Sequence, residues 1–260
     1  MTSFRILTWG NEDALPVVCI HGVGGHARRF ERLARMLEDR RYVIAYDLRG
    51  HGRSPWAGEQ SLDAHCGDLE EVLDVCGIDQ SMLVGAALGG RIALEFAASR
   101  GDRVTGLCLL DPPLFATGPR PSAEERHGGS FGSVDEAIAH LRLESGLEHT
   151  PRALLEEEMA EHLVADEDGR FRQRYSRSAA AQATDALRGT QPPLREVVCP
   201  VLIVRGETSE MLTEADAEQA AEELRRCRLE TVPGGHCLLW DALAETSALV
   251  RDFVLAGSLR

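Results

Sequence analysis

Acyl transfer needs a nucleophile, a base to take its proton, an acid to orient that base, and N–H donors for the oxyanion. The sequence offers most of this set with one position altered. Ser81-Met-Leu-Val-Gly-Ala-Ala-Leu-Gly-Gly-Arg-Ile-Ala-Leu94 begins as a short apolar run, breaks at glycines, and passes into helical spacing at Ile92, Ala93, Phe96 and Ala97. Strand, tight turn and helix in that order are the setting of a nucleophile elbow, Gly-x-Ser-x-Gly. Such a turn strains the backbone of its middle residue, so Ala87 is expected at positive φ. A methyl group does not attack a carbonyl. The motif is complete in geometry and empty in chemistry.

The remaining parts follow other apolar runs. His236 comes after Gly234-Gly235 and completes the chain order nucleophile, acid, histidine, which makes it the expected base. The acid has two candidates. Gly206-Glu-Thr-Ser-Glu210 follows the run Val201–Val204, where that order calls for a carboxylate, and Glu210 is the first choice over the turn residue Glu207. Asp111 ends the run after the elbow and is the alternative acid, its other reading being a turn residue ahead of Pro112. The oxyanion donors are expected to be the backbone amides of Leu88 and of Val23, the latter in His21-Gly-Val-Gly-Gly25, with Gly22 against the substrate. That glycine-rich loop lacks the lysine of a phosphate loop. His51 is read as a loop stabiliser, and Cys19 and Cys237 as core residues.

The elements that must hold these groups alternate along the chain. Strands are expected at Phe4–Trp9, Pro16–Ile20, Tyr42–Tyr46, Met82–Val84, Val104–Leu110, Val201–Val204 and Leu229–Val232. Helical spacing covers Arg29–Leu37, a stretch capped by Ser61 and running to Cys76, and a last helix from Leu238 to about Leu255. This is the pattern of an α/β fold: a mostly parallel sheet with helices on both faces. The site then lies at the carboxyl ends of the strands, where His21, Asp47, Ala87 and Asp111 all fall. Between residues 114 and 191 no strand is legible. Helical segments stand at Val134–Leu143, Pro151–Val164 and Tyr175–Leu187, with Gly118-Pro-Arg-Pro121 and Gln191-Pro-Pro193 at the ends. The expected division is a core of residues 1–113 and 192–260 with a helical cap, 114–191, inserted over the site. Leu114, Phe115, Leu141 and Phe171 are the expected lining of an apolar substrate pocket.

Composition narrows the partners. A length of 260 residues suits one core with an insertion, and a net charge of −14 argues against nucleic acid or an anionic membrane as partner. The seven cysteines form no Cys-x-x-Cys pair, so neither a zinc site nor a disulfide framework is expected, and no cofactor is implied. Without a basic-then-apolar leader or an apolar stretch of membrane length, a cytoplasmic location is expected. Oligomeric state is not legible.

Taken together the motifs resemble those of the α/β-hydrolase superfamily over nearly the whole chain. His21-Gly-Val-Gly-Gly25 resembles its oxyanion loop, Asp47-Leu-Arg-Gly-His-Gly-Arg-Ser54 its strand-to-loop signature, Val84-Gly-Ala-Ala-Leu-Gly-Gly90 its elbow and Gly234-Gly-His236 its histidine loop. Asp168-Gly-Arg-Phe-Arg-Gln-Arg-Tyr175 and Arg205-Gly-Glu-Thr-Ser-Glu210 are similar to a bacterial branch of small esterases and lactonases, which commonly has Asp where Glu210 stands. The resemblance implies hydrolysis of a small ester or lactone by serine, histidine and acid. Ala87 departs from it, since the family carries Ser or Asp there. Three readings follow: a serine deliberately replaced by alanine, a native binder without catalysis, or cofactor-free chemistry such as C–C cleavage or dioxygenation that uses His236 without a covalent step. The first is favoured, because only chemistry requires the rest of the constellation to stay together.

Overall fold

The computed structural model of the chain describes residues 3–56, 58–115, 130–145, 147, 150–188 and 190–256. Its main sheet is built from β1 (Ile6–Trp9), β2 (Pro16–Ile20), β3 (Tyr42–Tyr46), β4 (Ser81–Ala86) and β5 (Val104–Leu110), and is completed after an insertion by two later strands. The insertion carries a hairpin of its own, β6 (Leu163–Ala165) and β7 (Phe171–Gln173). The sheet resumes with β8 (Val201–Gly206) and β9 (Cys227–Val232), in the order β1-β3-β2-β4-β5-β8-β9. β1 pairs antiparallel with β3, and the other neighbours are parallel.

Alternation along the strands sorts the core into two layers. Val18, Ile20, Ile44, Leu83, Leu107, Leu109 and Ile203 face one side, against Leu69 and Leu73 of α2 (Leu62–Val75) and Ile92 and Phe96 of α3 (Leu88–Ser99). Val17, Cys19, Val43, Val84, Cys108, Leu202 and Val204 face the other. There they meet Leu33 and Ala34 of α1 (Glu31–Arg35) and, from the end of the chain, Val250 and Val254. Burial on both faces explains why these strands read as continuous apolar runs. Because α1 and α3 cover opposite faces, the chain diverges between the neighbouring strands β2 and β4. That is the switch point at which a parallel sheet opens a crevice beyond its strand ends.

Between β5 and β8 the chain leaves the sheet. α4 (Val134–Ser145), α5 (Arg152–His162), the hairpin and α6 (Arg177–Asp185) follow one another, and Phe131, Ile138, Leu141, Leu155 and Met159 form an apolar cluster apart from the sheet's. The hairpin corrects the expectation that this stretch holds no strand. Three-residue strands are too short to display a period of two, and the turn between them is made at Gly169, with φ 76. The Gly118–Pro121 punctuation lies outside the described residues. After β9 the last helix is two, α8 (Leu238–Asp241) and α9 (Leu243–Ala256), preceded by α7 (Glu214–Glu223) between β8 and β9. The break falls at Ala242, with φ −139 and ψ 48.

One buried side chain ties the insertion to the core. Arg91 of α3 is fully buried, pairs with Glu95, and donates to the carbonyl of Leu114, where the insertion departs. It also donates to Thr190 Oγ1 and the carbonyl of Gln191, where the chain returns. Among the described residues no helix is long and apolar enough to cross a membrane.

Candidate active site

Two non-glycine residues of the described chain have positive φ, and both end adjacent strands: Ala87 after β4 (φ 50, ψ −119) and Asp111 after β5 (φ 47). Such conformations cost about 1–3 kcal/mol each and persist only where the surroundings impose them. Here the Ala87 N–H donates to Leu110 O at 2.9 Å, and the Asp111 N–H to Val204 O at 2.8 Å. α3 also crowds the sheet too closely for side chains at the turn. A Cβ on Gly89 would sit 2.1 Å from the carbonyl oxygen of Ile20, and one on Gly85 2.3 Å from that of Gly89. The elbow geometry expected from the glycine spacing is therefore present, with a methyl group at its apex.

His236 stands on the loop beyond β9, shaped by Gly234 (φ 101) and tied to α8 by the Gly235 N–H donating to Asp241 Oδ2. Its Nδ1 donates to Asp111 Oδ2 at 2.6 Å. Asp111 is fully buried and bonded at both oxygens: the Ser209 hydroxyl donates to the same oxygen at 2.5 Å, and the Gly206 N–H to Oδ1 at 3.2 Å. The partner of the histidine is thus Asp111 and not Glu210, the first choice from the sequence. The cause is local. Beyond β8 the chain turns Ser209 inward and Glu210 out to solvent, so the residue that reaches His236 comes from the neighbouring strand. Ser209 went unremarked in the sequence, where nothing distinguishes an inward hydroxyl from any other loop serine. The side chain of His236 is 31% exposed, which leaves its far nitrogen reachable.

Two amides were expected to receive an oxyanion. Val23 N and Leu88 N find no acceptor among the described residues, and Leu88 opens α3, where the first N–H groups of a helix have no intrahelical partner. Gly22 covers this place without filling it: a Cβ there would lie 2.8 Å from the Ala87 methyl and 3.7 Å from Leu88 N. The loop is held by two histidines. His21 Nδ1 donates to the carbonyl of Gly22 and its Nε2 accepts from Leu48 N–H at 2.9 Å. His51 Nε2 accepts from Gly24 N–H at 3.1 Å while its Nδ1 donates to Arg49 O. Accepting a bond requires a neutral ring. Burial, above all, keeps His21 well below the ordinary imidazole range and brings His51 down to about 4. His51 has the loop-holding geometry expected of it; the matching bonds of His21 were not foreseen.

The four residues expected to line a pocket divide between two clusters. Leu114 is buried in the sheet's layer with Phe115 packed on it, whereas Leu141 belongs to the insertion's cluster, against which Phe171 packs. Burial pushes the Cys237 thiol up to about 12 and the Cys19 thiol higher still, so neither is a nucleophile at neutral pH. All seven cysteines are free.

A strained elbow at a switch point, a buried acid on a histidine, and two amides without an acceptor among the described residues are the parts a hydrolase site uses. The chain belongs to the alpha/beta hydrolase family, whose model matches residues 17–249. It is 36% identical to lipase LipV of Mycobacterium tuberculosis over 174 residues, 66% of each chain. It is 31% identical to 2-(acetamidomethylene)succinate hydrolase of Mesorhizobium japonicum over 219 residues, 82% of this chain and 78% of the relative. A crystal structure of E-2-(acetamidomethylene)succinate hydrolase superposes with a TM-score of 0.82 at 24% identity, covering 96% of this chain and 94% of the other. The family's hydrolase relatives support an enzymatic scaffold, and the structural likeness fixes the fold.

Proposed function

We propose that this chain is the nucleophile-less form of a serine hydrolase of small carboxylic esters or lactones, with alanine standing where the reacting serine belongs. The observation that carries the reading is Ala87 held at φ 50, ψ −119, at the end of β4, while the residue ending the adjacent strand, Asp111, is a buried carboxylate already paired with a histidine. An alanine gains nothing from that conformation. Relatives named as a lipase and an esterase support the ester class.

With a hydroxyl restored at position 87, its oxygen attacks the substrate carbonyl carbon while its proton passes to His236 Nε2. Asp111 keeps the other ring nitrogen protonated and stabilises the imidazolium. The carbonyl oxygen, now an anion, receives the N–H groups of Val23 and Leu88. Collapse of the tetrahedral intermediate expels the alcohol, which takes the proton from His236, and water repeats the sequence on the acyl group. Metal and cofactor have no part in these steps. Residues 114–191 act as a cap, and side chains it presents to the site select the substrate.

The test is Ala87→Ser against a panel of nitrophenyl esters and lactones. Hydrolysis is expected to rise at least about a thousandfold over the alanine chain, since loss of a triad member leaves only oxyanion-hole and binding effects. The alanine chain is expected to bind the same substrates by calorimetry. No gain with serine, alongside tight binding by the alanine chain, makes the alanine native and the protein a binder.

A further inference from the structure

Behind the oxyanion loop, three buried side chains from distant parts of the sequence converge. Glu158 and His162 stand four residues apart on α5, so one helical turn places them on the same face. His26, just past the oxyanion loop, meets them from the core, with its Nε2 3.0 Å from Glu158 Oε2. His26, Glu158 and His162 are 3%, 5% and 1% exposed. One ring nitrogen from each histidine and one carboxylate oxygen lie within 4.8 Å of one another.

Hydrogen bonding does not account for these rings. Neither nitrogen of His162 has a partner among the described residues, nor has Nδ1 of His26. A buried imidazole without partners forfeits its hydration, a cost that a bound ligand would offset. Tyr175 stacks on the face of His162, which fixes the ring plane but satisfies neither nitrogen.

We propose that His26, Glu158 and His162 bind a divalent transition-metal ion, zinc foremost, that pins the insertion to the oxyanion loop. Two imidazoles and one carboxylate are a donor set suited to zinc, with water as the fourth ligand. Tetrahedral bonds of about 2.1 Å put donors roughly 3.4 Å apart, so the side chains close by about an ångström when the ion enters. Arg29 holds the other carboxylate oxygen, Oε1, through Nε and Nη2, the kind of outer contact that orients a ligating carboxylate. Its charge also repels the ion and sets a ceiling on affinity. The proposal is independent of whether residue 87 carries a nucleophile.

The experiment is titration of the metal-free full chain with cobalt(II), followed by displacement with zinc. One equivalent is expected to give the visible absorption of a tetrahedral nitrogen–oxygen site, and His162→Ala to weaken binding by about a hundredfold or more. His236→Ala is expected to leave binding unchanged. In the unmodified protein, zinc is expected to shift the imidazole nitrogen resonances of two histidines while leaving the His236–Asp111 proton in place, which decides the matter if His162→Ala fails to fold. Absence of stoichiometric binding, undiminished binding by folded His162→Ala, a thiolate-to-cobalt band, or movement of the His236 signal each overturns the proposal.

Discussion

Replacing Asp111 with asparagine tests the assignment of the acid and separates it from Glu210. Oδ2 of Asp111 accepts from two donors, His236 Nδ1 and the Ser209 hydroxyl, while Oδ1 accepts from the Gly206 N–H. An asparagine keeps its carbonyl oxygen toward Gly206 and therefore turns its NH2 toward the other two. Ser209 can rotate its hydroxyl to accept. His236 meets a donor at Nδ1 and can remain bonded only by moving its proton to Nε2, the nitrogen that must take the nucleophile's proton. The fold survives and the base is blocked. In the Ala87→Ser background kcat is expected to fall about ten-thousandfold, some 5 kcal/mol in barrier, as the wrong tautomer costs in the serine protease triad. Glu210→Gln, at an exposed carboxylate, is expected to stay within about twofold of its parent. Steady-state ester hydrolysis reads the rates, and imidazole nitrogen resonances of the alanine chain report the tautomer directly. A drop confined to Glu210→Gln, or an Asp111→Asn rate within tenfold of its parent with Nδ1 still protonated, refutes the reasoning.

Two further outcomes rest on other parts of the molecule. Gly22→Ala places a methyl group 2.8 Å from the Ala87 side chain and over Leu88 N, so in the Ala87→Ser background activity should fall about a hundred- to a thousandfold, at a stability cost of about 1–3 kcal/mol; an unchanged kcat/KM places the oxyanion elsewhere. Burial lowers His51 to about 4 and His65 to about 3 from an unfolded 6.5, so their neutral forms favour the fold fully above pH 6.5 and that contribution drains as pH falls toward those values. Each should cost about 2 kcal/mol by pH 5, read as a falling urea midpoint, and a midpoint constant between pH 7 and 5 contradicts the burial of neutral rings.

What the sequence discloses is what neighbours along the chain decide. The elbow was legible because Gly85 and Gly89 flank Ala87 where an apolar run yields to helical spacing, and those glycines are the ones that α3 and β2 leave no room to replace. The oxyanion amides followed from the same local geometry. The acid did not, because which of Ser209 and Glu210 turns inward depends on how the loop beyond β8 lies against the strand beside it. Asp111 carried a faint signal: aspartate tolerates positive φ better than most residues, and a strand ending in Asp-Pro invites a sharp turn. The meeting of His26 with Glu158 spans 132 positions and leaves no trace in either neighbourhood. Nor did Arg91, whose place in a helical pattern reads as solvated surface and whose side chain is fully buried.

That arginine has a consequence for descent as well as for stability. The points at which the insertion departs and returns are joined through one guanidinium on α3, the helix that opens with the oxyanion amide of Leu88. The described part of the insertion is therefore an excursion whose ends are fastened at the root. Within it Glu158 bonds His26 and Arg29, and the backbones of Arg174 and Ser176 bond Gly52 and Gly50, so those points are fixed to the core while residues without such contacts are free to drift. A lineage can then vary those parts of the insertion while its elbow stands still.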